Sequence, residues 1–456
     1  LDKALRLASK NKKNDQIEKA KDIYQDILKK FPKHKQALAA LKLLSGGTIP
    51  VLQDPPPNKL NSLINLYNQG QLKLALLHTS QLLESYPRSV ILYNLSGASN
   101  AGLMQFDAAI KSYKQALKIK PDYVDALNNM GVAQNSQGDA EAAIQSYKSA
   151  IKIKPDYADA LNNMGVAQNS QGDAEAAIQS YKSAIKIKPD YAEAHNNMGK
   201  ALNSKGDQVE AIKSYAQAIK ANPAYVDAHN NMGLVQKDRS NFKLAIKSFS
   251  QAIKIKPDYV EAYNNMGNTF QDKGDLEGAI NCYNKALSIQ PDYSAAHFNM
   301  GIALNGKNDP EAAINSYEQA LKIQPDYIDA YNNLAIVFKN RGDLEAAINI
   351  YKQALKIKPD VAEVHFNLGV VLQDKGDLKM AINSYNKAVM IKPDYADAYN
   401  NMGLTLNHMG DLKAAIGSFK LAISIKLDYF EAYNNLGIAL KDKGNLDDSI
   451  YSFKKA

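Results

Sequence analysis

Val124 to Tyr157 reads VDALNNMGVAQNSQGDAEAAIQSYKSAIKIKPDY, and the next 34 residues, Ala158 to Tyr191, repeat it with one change, Val124 to Ala158. The same frame recurs to the end of the chain, marked by a proline every 34 residues from Pro87 through Pro121, Pro155 and Pro189 to Pro393, until Leu427 takes the next beat. A fixed period of this length is the signature of a stacked repeat array. It has to be recognised first, because any residue type in such an array can recur for structural reasons alone.

With Val124 as position 1, position 8 is Gly in nine of the ten copies that begin at Val124, Ala335 being the exception. Position 20 is Ala143, Ala177, Ala211 and onward to Ala415, and position 27 is Ala150, Ala184 and onward to Ala456. Position 24 is always aromatic, from Tyr147 to Phe453. Leu127, Met130, Gly131 and Gln134 fall on one helical stripe, and Ala143, Ile144, Tyr147, Ala150 and Ile151 on a second. Small residues let two helices approach closely while the ring fills the space between them. Gly138 suits the left-handed residue that ends the first helix, and Asp139 can cap the second. Asp309-Pro310-Glu311 sets proline where a helix starts. Asp258-Tyr259-Val260-Glu261 reads as a capping box that restarts the next first helix. Each repeat is then a helical hairpin that cannot bury its apolar stripes alone.

These residues resemble the tetratricopeptide repeat (TPR), whose pattern carries Gly at position 8, Ala at positions 20 and 27, an aromatic at position 24 and Pro at position 32. The usual Trp of position 4 is absent, and position 11 carries Gln134, Leu202 or Phe270 in place of Tyr. The resemblance implies an all-α fold, an α-solenoid in which TPR hairpins wind into a right-handed superhelix. It also implies that the first helices line an inner, concave surface.

Over the whole chain the organisation is expected to be a divergent copy at 1–44, with Ala20, Tyr24 and Pro32 on repeat positions, a linker at 45–57 and the superhelix at 58–456. The linker reading rests on SGGTIPVLQDPPPN, Ser45 to Asn58, whose prolines forbid a helix and favour extended backbone. The net charge of +8 comes almost entirely from Lys. Most Lys recur at positions 25, 29 and 31, as in Lys148, Lys152 and Lys154, where they suit the end of the second helix and an outer surface. Guanidinium groups are scarce, so no nucleic-acid partner is expected. No apolar run is long enough for a membrane span. The one cysteine, Cys282, excludes an intrachain disulfide framework and suits a reducing, cytoplasmic setting. The chain opens on Leu1 and stops at Ala456, inside a helix of the repeat, which reads as a fragment of a longer protein.

Little in the chain suggests chemistry. His195, His229, His297 and His365 all stand at position 4, where other copies carry Leu127, Tyr263 or Tyr433, so they fill a packing slot rather than bind a metal. The acids Asp125, Asp139 and Glu141 have capping roles, and no phosphate loop, nucleophile elbow or dinucleotide fingerprint occurs. No catalytic residue, cofactor or metal ligand is expected.

The informative row is Asn. Position 6 is Asn129, Asn163, Asn197, Asn231, Asn265, Asn299, Asn333, Asn367, Asn401 and Asn435 without exception, and position 5 is also Asn except at Phe298 and Phe366. Asn is a mediocre helix residue, so packing alone does not call for it. The row resembles the asparagine ladder in the superhelix of O-GlcNAc transferases, which implies a groove gripping the backbone of extended peptides. Two other readings stand beside it: the amides bond to the neighbouring repeat and stiffen the stack, or they record recent duplication. The acids of position 2 (Asp125, Glu193, Glu261, Asp329, Glu431) add negative character, while Lys200, Lys237, Lys339 and Lys441 are the only cations for an acidic-terminus clamp. The expected function is a scaffold that binds protein or peptide segments. The alternative is the substrate-recruiting arm of a transferase whose catalytic domain lies beyond Ala456. Replacing Asn231, Asn265, Asn299 and Asn333 with Ala is expected to weaken partner capture and leave melting nearly unchanged.

Overall fold

The computed structural model describes residues 1–13, 16–32, 34–44 and 54–456, with the side chains of 12 and 13 excepted. Among them there are 27 helices and no strand. The fold is an all-α solenoid that divides into two compact units, Leu1–Val235 and Gln236–Ala456.

One copy shows how the sequence builds the hairpin. The first helix, Val124–Ser136, ends where Gly138 adopts φ 91°. Asp139 N–H then reaches back to Gln134 O at 2.9 Å, and Gly138 N–H to Asn135 O at 3.0 Å, which satisfies two carbonyls of the last turn. The Asp139 carboxylate accepts from Ala142 N–H at 3.0 Å and opens the second helix, Ala140–Ile153. Asp173, Asp207, Asp275, Asp309 and Asp411 repeat that cap. The other junction differs from expectation. Helix Val260–Asp272 takes Tyr259 as its N-cap with no side-chain bond, so Asp258 stands one residue too early and the capping box does not form.

Between the two helices the ring at position 24 lies against the glycine at position 8. A methyl added at Gly131 would sit 2.6 Å from Tyr147 Cε1, and one at Gly403 would sit 2.7 Å from the Phe419 ring. Tyr147, Tyr181, Tyr215, Tyr283 and Phe419 are all buried. Each such ring removes about 150–250 Å² from water, roughly 4–6 kcal/mol before entropy is counted. The core then runs on into the next copy, since Tyr147 and Ile144 share a cluster with Ala160 and Ala167. This hairpin therefore shares its core with its neighbour.

The amino-terminal helices Asp2–Lys13, Ile17–Lys30 and Lys35–Leu44 enclose a separate cluster around Leu5, Ala20, Tyr24, Leu28 and Leu41. Most of the expected linker lies outside the described residues. In the part that is described, Pro56 is extended (φ −56°, ψ 146°), but Pro57 is the first residue of helix Pro57–Asn68. The proline run therefore does not exclude a helix: at the first helical position the missing N–H would have had no partner anyway.

Candidate functional site

The asparagines of position 6 are all half-buried on the first helix of their repeat. Most of them reach into the preceding repeat. Asn163 Nδ2 donates to Asn128 Oδ1 at 3.1 Å, Asn197 to Asn162 at 3.2 Å, and Asn231 to Asn196 at 3.1 Å. Asn129 does the same to Asn94 at 3.3 Å, Asn299 to Asn264 at 3.0 Å, Asn367 to Asn332 at 2.7 Å and Asn435 to Asn400 at 3.0 Å. Each rung thus joins position 6 of one copy to position 5 of the copy before it. Of the position-5 partners, Asn128, Asn162, Asn196, Asn264 and Asn400 are buried, Asn162 fully, whereas Asn94 and Asn332 are half-buried.

Two rungs are missing for a visible reason. The residues that should accept from Asn333 and Asn401 are Phe298 and Phe366. Asn333 Nδ2 turns to the carbonyl of Asp329 in its own helix at 2.9 Å, and Asn401 lies near the Tyr385 hydroxyl, which donates to Gln373 at 3.0 Å. Phe298 packs instead on Tyr317 and Tyr327, with centroids 6.0 and 4.8 Å away, and Phe366 on Tyr385 and Tyr395 at 5.9 and 5.0 Å. Asn265 occupies the equivalent half-buried position.

The rung changes what is left for a ligand. A primary amide offers two N–H donors and an oxygen with two lone pairs. The rung uses one N–H, and it fixes the orientation of the amide that carries the other N–H and the oxygen. Three residues on, one step along the same helix face, position 9 is aliphatic in most copies: Val132, Val166, Ile302, Ile336, Val370 and Ile438 are half-buried or exposed, while Lys200 and Asn268 break the row. Sequence reasoning passed over this row, although its spacing from the asparagines was readable.

The acids of position 2 are drawn into the stack. The Tyr157 hydroxyl donates to Asp125 at 3.2 Å, and that of Tyr429 to Asp397 at 2.7 Å. Glu193 and Glu363 accept from Asn162 and Asn332 at 3.3 and 3.2 Å. Burial, aided by Asp125, pushes the Tyr157 phenol up to about 12. The same rings carry a lysine: Lys154 Nζ lies 5.0 Å from the Tyr157 centroid and Lys188 Nζ 4.6 Å from that of Tyr191. The Lys-Pro-Asp-Tyr tail of the repeat is therefore a cation–π clasp, with part of its lysine charge held over a ring.

Of the lysines considered for an acidic-terminus clamp, Lys237 pairs with Asp272 and Lys339 with Asp374, each at 3.3 Å in the following repeat. Lys200 and Lys441 are exposed. The position-4 histidines are structural in geometry. Nε2 of His195, His229, His297 and His365 donates to the carbonyls of Pro189, Pro223, Pro291 and Pro359 at 2.9, 3.1, 3.0 and 2.9 Å. Among the described residues no cluster of His, Cys, Asp and Glu could hold a metal ion, and no helix is long and apolar enough to cross a membrane.

Comparison with known proteins agrees with the geometry. The family model described as TPR repeat matches successive windows from residue 105 to residue 410, and models described as tetratricopeptide repeat match 396–429 and 4–34. No curated protein matches the chain. Among solved structures it is similar to MamA, with 29% identity over 36% of this chain and 95% of that one and a TM-score of 0.34. It is also similar to YrrB, described as a TPR protein with an unusual peptide-binding site, with 20% identity over 41% of this chain and 97% of that one and a TM-score of 0.35. Matched repeats cover well over half of the sequence, and the chain belongs to the tetratricopeptide-repeat family.

Proposed function

We propose that this scaffold binds extended peptide segments of partner proteins along the face of its first helices. The position-6 amides pair with the peptide backbone, and the position-9 aliphatics receive its side chains. The observation that supports this reading is the rung. Where it forms, it commits one N–H of the position-6 amide to the stack and leaves an N–H and at least one oxygen lone pair, the complement of a backbone carbonyl and amide, at the same place in successive repeats. The expected ligand is neutral or basic, since the acids outlast the cations on this face once Lys237 and Lys339 are paired.

Each amide contributes about 0.5–1.5 kcal/mol net, and micromolar affinity needs about 8 kcal/mol. The bound segment therefore spans several repeats. A second reading is favoured by the same bonds: the ladder serves only to stiffen the stack.

Asn333 and Asn401 separate the two, because neither makes a rung. Peptides selected from a random display library on the full chain would be titrated against Asn333→Ala and Asn401→Ala. Groove binding predicts a two- to tenfold weaker complex, about 0.5–1.5 kcal/mol, for peptides that span those repeats. Selected peptides that span those repeats yet bind both variants as tightly as the wild type would count against contact between the position-6 amides and a peptide.

A further inference from the structure

A different face of the second unit carries its own signal. In the repeat 362–395 several positions depart from the copy at 124–157: Met380 replaces the Ala of position 19, Lys387 the Ser of position 26 and Met390 the Lys of position 29. The changes converge in space. Two adjoining open clefts of about 360 and 380 Å³ share Leu355, His365 and Lys387, and Met390 lines one while Met380 lines the other. Met390 is 80% and Met380 49% exposed, large values for apolar side chains that replace Lys and Ala.

The clefts form one trough. Helix Leu344–Ile357 supplies one wall with Lys352, Leu355 and Lys356. Helix Leu378–Ile391 supplies the other, with Met380, Ser384, Lys387 and Ile391 in line on one face. The floor is His365, Leu368 and Leu372 of helix Ala362–Lys375. From Met380 to Ile391 the trough runs about 16 Å at 1.5 Å per residue, three helical turns. Its apolar floor and methionine rim are bordered by three ammonium groups, Lys352, Lys356 and Lys387, against one carboxylate, Asp360. None of these residues belongs to the asparagine or aliphatic rows at positions 5, 6 and 9.

We propose that this trough docks an acidic amphipathic helix of a partner protein, its apolar residues against Met380, Leu368 and Met390 and its carboxylates on Lys352, Lys356 and Lys387. Length and charge select this occupant. Three turns of trough match apolar residues spaced i, i+4 and i+7 along a helix. Methionine, flexible and polarisable, is suited to an adaptable contact surface. The lysine borders favour glutamate and aspartate on the flanks.

The test uses the full chain with ¹³C-methyl-labelled methionine and a helical probe peptide carrying Leu at i, i+4, i+7 and i+11 with Glu between. Controls are its scrambled isomer, the same peptide with Lys for Glu, and decanoate. The Met380 and Met390 methyl resonances are expected to shift with the acidic peptide alone. The double variant Met380→Ala/Met390→Ser, which places at these exposed positions residues that other copies carry (Ala142, Ser288) without adding charge, is expected to bind at least about tenfold more weakly. Lys387→Glu is expected to weaken the acidic peptide and strengthen the basic one. Circular dichroism confirms that both variants remain folded. Unmoved methionine signals, an equal response to the scrambled or basic peptide, a response to decanoate alone, or unchanged affinity in the double variant would each overturn the proposal.

Discussion

Asn299 and Asn333 stand at the same position of neighbouring repeats, yet their replacement by Ala should have opposite consequences. Asn299 donates to Asn264, a buried acceptor, at 3.0 Å. Loss of that bond removes about 0.5–1.5 kcal/mol and leaves a buried carbonyl oxygen short of its donor, which costs about 1–3 kcal/mol when no water replaces it. Ala recovers up to about 0.7 kcal/mol as the better helix former. Asn299→Ala should therefore destabilise its region by about 1–2 kcal/mol. Asn333 bonds only a carbonyl of its own helix, that of Asp329, so Asn333→Ala should be neutral or stabilising by a few tenths of a kcal/mol. Because Asn231 and Asn299 form rungs, unchanged melting is now predicted for Asn333→Ala alone, and a loss of stability for Asn231→Ala and Asn299→Ala. A repeat array need not unfold as one unit, so the assay is native-state amide hydrogen exchange read repeat by repeat. A double-mutant cycle of Asn264→Ala with Asn299→Ala should give a coupling of about 0.5–1.5 kcal/mol. Equal effects of Asn299→Ala and Asn333→Ala, or no coupling in the cycle, would refute the rung as a stabilising bond.

Three further outcomes follow from single sites. Met104 holds φ 60° at the turn position where other copies have Gly, with its side chain 80% exposed. Relief of left-handed strain, about 1–2 kcal/mol, exceeds the 0.4–1 kcal/mol of chain entropy that Gly adds to the unfolded state, so Met104→Gly should raise local exchange protection by about 0.5–1 kcal/mol. His365 is held below its ordinary 6.5, chiefly by burial and further by Lys387, while its bond to Pro359 and the nearby Asp360 act the other way. Its neutral form is favoured in the folded state, so its contribution is full above pH 6.5 and is lost as pH falls through the lowered value. His365→Leu, the residue of other copies, should flatten that slope in denaturation curves measured between pH 7 and pH 5. Cys282 is buried, and burial followed by the charge of Asp275 pushes its thiol up to about 11. It should react with a thiol-modifying disulfide at neutral pH only after unfolding, and prompt reaction in the native protein would contradict the packing.

The repeat hairpin was legible because every device that makes it is local. Gly138 and Asp139 act within a few residues of each other, and Tyr147 meets Gly131 in the same hairpin. Even the strained turns could be read, since Met104, Ser240 and Asn308 are the residues that take left-handed backbone where Gly is usual. The rungs were less accessible. The sequence displays positions 5 and 6 as adjacent, but the bond joins residues 35 apart, such as Asn128 and Asn163, and only the stacking offset decides that pairing. The capping box failed by one residue, because the turn before each first helix places Tyr259 rather than Asp258 at the cap. Lysines assigned to a soluble surface proved in part to cover tyrosine rings, as Lys154 covers Tyr157, a contact set by the shape of the turn at Pro155.

Stiffening and recognition are usually weighed as alternatives for such a row, but an amide has enough hydrogen-bonding groups for both. What distinguishes the two units is continuity. Rungs from Asn94 to Asn231 follow one another without a break in the first unit, whereas Phe298 and Phe366 interrupt the series in the second. An unbroken track suits a ligand recognised by its backbone; a track interrupted by rings adds apolar surface and favours ligands with large side chains there. If the interruption is simply the want of an acceptor, Phe298→Asn should supply one 35 residues before Asn333, the separation seen at every other rung. Loss of the ring contacts to Tyr317 and Tyr327 will itself destabilise the hairpin. The informative quantity is therefore the change in Asn333→Ala between backgrounds: near zero with Phe298, and a cost of about 0.5–1.5 kcal/mol with Asn at that position. The same small effect in both backgrounds would mean that register, and not the missing acceptor, breaks the ladder.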